Sequence, residues 1–313
     1  QAAKRGCKVF AINAQVQDWA LPVTASAVAA KDWAQALADI AVAVAQAKGV
    51  PAPVVGGTAP AQAQAIAQAL LAGERKAILL GNAAAHHGHA AQLLALAQWI
   101  GEQTGATVGY LTEAANTVGA QWVQAQPQKD GKNAGEMLTG AIKAAILLNT
   151  EPAFDAAAGA KGLEQADMVI TLSPFKANLD ISDVLLPVAP FTETSGTFVN
   201  AEGRVQSFHA VVKPLGETRP AWKVLRVLAN LLELPGFDYE SSQDVLTAAI
   251  GAETKEVPSA LRSNITKVAA KVPENEAAEP VTASIYQLDG IVRRATSLQL
   301  TADARLAREG GAA

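Results

Sequence analysis

Residues Pro190–Val212 read PFTETSGTFVNAEGRVQSFHAVV, and they follow DVLLPVA (Asp183–Ala189). The earlier run is short, apolar and β-branched, the pattern of a buried strand. Within the later one, NAEG (Asn200–Gly203) fits a type I turn closed by a left-handed glycine, with Asn200 at its first position. GTFVN and RVQSFHAVV then become antiparallel partners. Gly196 lets the chain turn sharply before the first of them. Arg204 and Gln206 alternate on one face, placed to bridge to backbone carbonyls or to carboxylates such as Glu193 and Glu202. Read from residues alone, this is a hairpin that locks the end of a sheet.

Working outward, the same strand signal recurs. CKVFAIN (Cys7–Asn13), KAILLG (Lys76–Gly81), ATVGYL (Ala106–Leu111), KAAILLN (Lys143–Asn149) and MVITLS (Met168–Ser173) are short apolar runs. Between them lie segments with helical spacing. One opens at Asp32 and stops at Gly49, one is capped by Thr58 and ends at Gly73, and one runs from His89 to about Gln103. TRPAWKVLRVLANLLELPG is another helix, with Thr218 as its cap and Pro220 near its start. Strands separated by helices predict an α/β fold with mainly parallel sheets. Each later strand is expected to follow a helix, and the first two named strands to run parallel in one unit. Residues 112–140 read as a long loop and a boundary. The predicted units are 1–118, 119–240 with the hairpin, and a short helical or irregular tail at 241–313. In the tail, KVPENEAAEPVT is a linker and LAREGGAA a frayed end.

The totals exclude several function classes. The chain has 313 residues, half of them hydrophobic, and a net charge of −4. No basic cluster or basic–aromatic stripe suits nucleic acid. No run of 18 apolar residues suits a membrane span, so direct membrane insertion is not expected. The start, QAAKRGCKVFAIN, lacks a signal-peptide plan and reads as the edge of a piece of a longer protein. Cys7 is the only cysteine. It cannot form an internal disulfide or hold a zinc or iron–sulfur site alone, and reads as a buried structural thiol.

In open α/β sheets ligands gather beyond the C-terminal ends of strands. Gly81, Asn82, His87, Asn149 and Ser173 occupy such ends. HHGH (His86–His89) suggests a metal, but the spacing is cramped and no nearby cysteine or carboxylate completes a set, so a polar cap on a strand–helix turn is the simpler reading. GNAAAHHG lacks the glycine spacing of a dinucleotide fingerprint. No catalytic constellation and no metal site is assigned.

Two blocks carry a resemblance. AILLGNAAAHHGHAAQLLALA (Ala77–Ala97) and the stretch Ala144–Leu232, with DVLLP…E…GTFVNAEGRVQ at its heart, resemble the molybdopterin oxidoreductase superfamily. Within it the second block is similar to the large iron–sulfur subunit of bacterial NADH–quinone oxidoreductase, respiratory complex I. IYQLDGIVRRATSLQLT (Ile285–Thr301) looks like the C-terminal part of that subunit. The resemblance implies two doubly wound, mainly parallel Rossmann-like units. It also implies that the pterin crevice of the molybdenum relatives lies at the strand ends, near the hairpin. Asn200 and Arg204 therefore join Gly81, Asn82, His87, Asn149 and Ser173 as lining of a vestigial cleft.

Other parts of a pterin site depart from the family. Asn13 and Ala14 stand where dinucleotide-form relatives place an acidic residue, no cysteine or serine metal ligand follows, and the closing C-terminal barrel has no counterpart. The resemblance thus implies a cofactor-free, non-catalytic scaffold within the complex I iron–sulfur subunit, which serves electron transfer from NADH to quinone. The 2Fe–2S and 4Fe–4S clusters would belong to an N-terminal region outside this chain. Its partners would be other peripheral-arm subunits, on the cytoplasmic side of the bacterial inner membrane. The alternative is a fragment of a true molybdopterin-dependent enzyme of the formate dehydrogenase kind. A generic nucleotide-binding module is disfavoured by the lack of a glycine-rich phosphate loop.

Overall fold

The computed structural model describes residues 1–157, 159–261, 263–275 and 284–310. It is a mixed α/β protein with small, mainly parallel sheets. The chain divides into two units, Gln1–Glu113 with Arg262–Thr282 and Ala114–Leu261 with Ala283–Ala313.

In the first unit β1 (Phe10–Asn13) pairs in parallel with β2 (Thr24–Ala27). α1 (Trp33–Lys48) is buried on most sides, and its alanines at 34, 38, 41 and 45 let neighbours approach closely. α2 (Ala61–Ala72) packs on it, with Ile40, Val44, Ile66 and Ile100 at the centre of the cluster. β3 (Ala77–Leu80) leads through the single turn α3 (Asn82–Ala85) into α4 (Ala90–Thr104), and β4 (Thr107–Tyr110) pairs in parallel with β3. A methyl group at Gly101 would sit 2.5 Å from Val108 Cγ2 and 3.0 Å from Ala106 O, so the missing side chain sets how tightly α4 meets β4.

Several expectations change here. β1 and β3 do not share a sheet; each pairs with a short strand of its own. β2 reads TASA, too small and polar to signal a strand, and is held by backbone pairing along β1. Asp32 stands at the N-cap of α1 without a side-chain cap bond. Thr58 donates its N–H to Asp39 Oδ1 at 2.8 Å, and Pro60 takes the N-cap of α2 instead. Gly49 does close α1 in the left-handed region, at φ 67°. Cys7 is exposed, not buried.

In the second unit, the segment read as loop contains α5 (Thr117–Trp122) and α6 (Ala134–Thr139). α6 opens with a capping box: Glu136 N donates to Asn133 Oδ1 at 2.9 Å, and Asn133 N donates to Glu136 Oε2 at 2.8 Å. β5 (Ala144–Leu148), β6 (Met168–Ser173) and β7 (Val184–Pro187) form a parallel sheet in sequence order. α7 (Pro152–Asp155) and a 3-10 turn at Lys161–Gln165 link β5 to β6. No helix precedes β7; the link is a loop in which Asn178 is left-handed at φ 55° and receives a bond from Ile181 N.

The hairpin forms as read. β8 (Gly196–Val199) and β9 (Val205–Phe208) are antiparallel, Gly203 N donates to Asn200 O at 2.8 Å, and Gly203 has φ 83°. Glu193 does not serve Arg204 as proposed from sequence; its Oε2 accepts from Leu215 N at 2.9 Å. α8 (Ala221–Leu231) starts after Pro220, while the Thr218 hydroxyl bonds Leu215 O and caps nothing. α9 (Ser242–Ile250) has a Ser241–Asp244 capping box. Short helices α10 (Ile285–Leu288), α11 (Gly290–Arg294) and α12 (Thr296–Gln299) follow. The expected frayed end is instead helical as α13 (Ala302–Gly310), with 311–313 outside the described residues. Of the expected linker, 271–275 is irregular and Val272 packs on the first unit's core, while 276–282 lie outside the described residues. Among the described residues no helix is long and apolar enough to cross a membrane.

Candidate functional site

Each unit has its own set of strand-end residues. In the first, β3 delivers the chain to Gly81, the N-cap of α3, with Asn82 as the first helical residue. His87 follows and is buried. Its Nε2 lies 3.1 Å from Ala30 O, which can only accept, so Nε2 carries the proton. Its Nδ1 accepts from His89 N at 2.9 Å, and its ring lies 5.7 Å from that of Trp33. Both ring nitrogens are therefore engaged inside the protein. His86 points outward and meets Glu113 at 2.8 Å on the surface. Among the described residues no group of three or more His, Cys, Asp or Glu side chains is arranged to hold a metal ion.

In the second unit Asn149 and Ser173 end neighbouring strands. Asn149 is left-handed at φ 52° and its N–H donates to Leu172 O at 2.9 Å. Such a conformation suits a residue whose short amide side chain tolerates it. Ser173 Oγ accepts from Phe175 N at 3.1 Å. Asn200 Oδ1 accepts from Glu202 N and Arg204 N, so its side chain stabilises the hairpin turn. Arg204 is exposed and forms an antiparallel bridge with Glu256.

The strongest constellation at these strand ends was not named from sequence. Glu151, the N-cap of α7, and Asp155, its last residue, lie shortly after β5 and are met by Arg293 and Arg294 of α11. Arg294 Nη1 and Nη2 donate to Glu151 Oε1 and Oε2 at 2.8 and 2.9 Å, a two-pronged fork. Arg293 donates to Asp155 Oδ1 at 2.7 Å and to Glu151 Oε1 at 3.1 Å. The Arg293 guanidinium lies 4.9 Å from the centre of the Phe154 ring, and that of Arg294 4.3 Å from Phe175. Arg293 and Glu151 side chains are 10% and 11% exposed, so that pair is largely withdrawn from water, while Asp155 and Arg294, at 25% and 34%, are only partly so. The Arg294 hydrogen bond holds Glu151 below its ordinary value, against the opposing effect of burial. For Asp155, burial pushes upward, but hydrogen bonds from Arg293 and Glu151 N outweigh it and the net shift is downward. Two signals were legible: the acidic pair spaced by four residues in TEPAFD, and the adjacent arginines in GIVRRA. Neither could say that residues so far apart in sequence would meet.

This donor set is two carboxylates and two phenyl rings. Its chemistry suits a guanidinium, and Arg293 and Arg294 of the same chain fill it, which commits the two arginines that could otherwise meet the phosphate of a pterin cofactor.

A model of the molybdopterin oxidoreductase family matches residues 58–231, more than half of the 313 residues. The chain belongs to the molybdopterin oxidoreductase family. It is similar to a putative formate dehydrogenase of Staphylococcus aureus (strain bovine RF122 / ET3-1), 39% identical over 77 residues, or 24% of this chain and 8% of that protein. It is also similar to the probable oxidoreductase YjgC of Bacillus subtilis (strain 168), 40% identical over 70 residues, or 22% of this chain and 7% of that protein. The matched stretches thus span less than a tenth of the length of either relative.

Proposed function

We propose that this chain is a non-catalytic scaffold portion of the iron–sulfur subunit of an NADH:quinone oxidoreductase. In that role it binds no cofactor and supports the peripheral arm through which electrons pass from NADH to quinone, at the cytoplasmic face of a bacterial inner membrane. Neighbouring peripheral-arm subunits are its partners. The clusters of such a subunit, 2Fe–2S and 4Fe–4S, would be carried by other residues, since Cys7 is the single thiol in this chain. The observation that carries the reading is the donor set of the second unit's strand ends. Glu151 and Asp155 are matched there by Arg293 and Arg294 of the same chain. Both arginines there are committed to these carboxylates, so the cluster is unsuited to a phosphorylated pterin. Ser173, Asn200 and His87 make internal bonds that support the same reading.

The second reading is a portion of a molybdopterin-dependent oxidoreductase of the formate dehydrogenase kind, favoured by the names of the two relatives. One experiment separates them. The protein carrying this chain is tagged in its host, purified under mild conditions, and assayed for molybdenum, for pterin released by oxidation, and for NADH-dependent and formate-dependent dye reduction. The scaffold reading expects iron and NADH-dependent activity in the purified complex without stoichiometric molybdenum or pterin. One molybdenum per chain with formate-dependent reduction would establish the second reading instead.

A further inference from the structure

The segment 284–300 has an unusual standing in the second unit. Its helices α10, α11 and α12 span 4, 5 and 4 residues. Helices this short do not persist in water on their own. Their order comes from local caps and from docking. Asp289 Oδ1 accepts from Ile291 N and Val292 N, and Gln299 Nε2 donates to Tyr286 O and Val292 O, which ties the three turns into one piece. The strongest side-chain attachments of that piece to the sheet region are those of Arg293 and Arg294. They reach α7 and Phe175, the residues that immediately follow β5 and β6. Gly290 also passes close to the same carboxylate. A methyl group there would sit 3.4 Å from Glu151 Oε1.

We propose that residues 284–300 form an intramolecular strap across the C-terminal ends of β5 and β6, held there by a guanidinium site that the chain fills with its own Arg293 and Arg294. The inference stands on this geometry and does not depend on the role assigned to the whole protein. The site has three matched parts. Glu151 offers two oxygens to the planar fork of Arg294. Asp155 orients toward Arg293 because its other oxygen, Oδ2, already accepts from Glu151 N at 2.7 Å and Thr150 Oγ1 at 3.2 Å. Phe154 and Phe175 offer ring faces to the two guanidiniums. An ammonium matches only the charge, because it has neither the fork nor the flat face. The strap lies outside the sheet's own core, which is built from Leu138, Leu147, Leu163 and Val169. When it lifts, it uncovers Glu151, Asp155 and the ring face of Phe175 at the strand ends.

Hydrogen exchange of the full chain tests this by following residues 284–300 against residues 144–149 and 168–173. In Glu151→Gln, the strap should exchange about tenfold faster or more while both strands keep their protection, the pattern of local opening. Arg294→Lys should also speed exchange of the strap, because it keeps the charge and loses the fork. Arg294→Ala provides a milder disruption if Glu151→Gln does not fold. Faster exchange of strap and strands together in both Glu151→Gln and Arg294→Ala would make the segment a core element and overturn the proposal. Unchanged exchange of the strap in these variants would overturn it as well. Wild-type exchange in Arg294→Lys would show that charge alone holds the segment, and the guanidinium site would fall.

Discussion

At the residue scale, the two adjacent histidines show how burial decides what a polar group does. His86 and His87 are neighbours in sequence, yet one faces water beside Glu113 and the other joins Ala30 to the start of α4. His87→Ala removes the partner of a buried carbonyl and of the His89 amide, and leaves a cavity beside Trp33. Urea unfolding should show the variant less stable by about 2–3 kcal/mol. His86→Ala, which breaks only an exposed pair, should stay within about 0.5 kcal/mol. Equal effects would mean that the ring of His87 does not hold Ala30 and the start of α4 together.

At the element scale, glycines report how closely the pieces pack. Gly162 lies in the 3-10 turn before β6, and a methyl group there would come within 2.4 Å of Leu138 O and 2.5 Å of Leu138 C. Both are backbone atoms of α6, so relief requires the turn to move away from the helix. Gly162→Ala should lower the melting stability by about 1–3 kcal/mol. Gly81, at the end of β3, has nothing within 4 Å of such a methyl group and does not need a positive φ. Gly81→Ala should therefore leave stability within about 0.5 kcal/mol. A large loss at Gly81, measured in the same unfolding series, would contradict the open surroundings described at that strand end.

At the scale of the whole molecule, the carboxylates under the strap link stability to pH. Glu151 and Asp155 are both held below their ordinary values of 4.5 and 3.8. In the unfolded chain each carboxyl binds its proton at a higher pH than in the fold. Their contribution is complete above the unfolded values and is lost as pH falls through the lowered folded ones. The second unit should accordingly weaken as pH falls from about 5 to about 3, read as the urea midpoint or as exchange of residues 284–300 corrected for the intrinsic effect of pH on exchange. The double variant Glu151→Gln, Asp155→Asn should be less stable at neutral pH and lose less over the same interval. The same loss in wild type and double variant would assign the acid response to other carboxylates.

The local rules of the backbone made much of this fold legible. The apolar runs predicted β5, β6, β7 and the hairpin, because a buried strand needs a short β-branched stretch and the NAEG turn needs its left-handed glycine. They failed where the local signal was weak or outvoted. TASA became a strand because β1 offered unpaired backbone groups, and Asp39 drew Thr58 away from the cap it was expected to fill. The capping box ahead of α6 was in the sequence, yet the glycines, glutamines and lysines around it read as loop. Of the candidate site, the strand-end positions Gly81, Asn82, Asn149 and Ser173 followed from where each run stops. That Glu151 and Asp155 meet Arg293 and Arg294 did not, because no local rule of helix, strand or turn links residues more than a hundred positions apart. Sequence alone determined the elements, whose conformations depend on near neighbours. Only the tertiary structure decided which charges meet, because buried charges must find partners wherever the packed chain brings them.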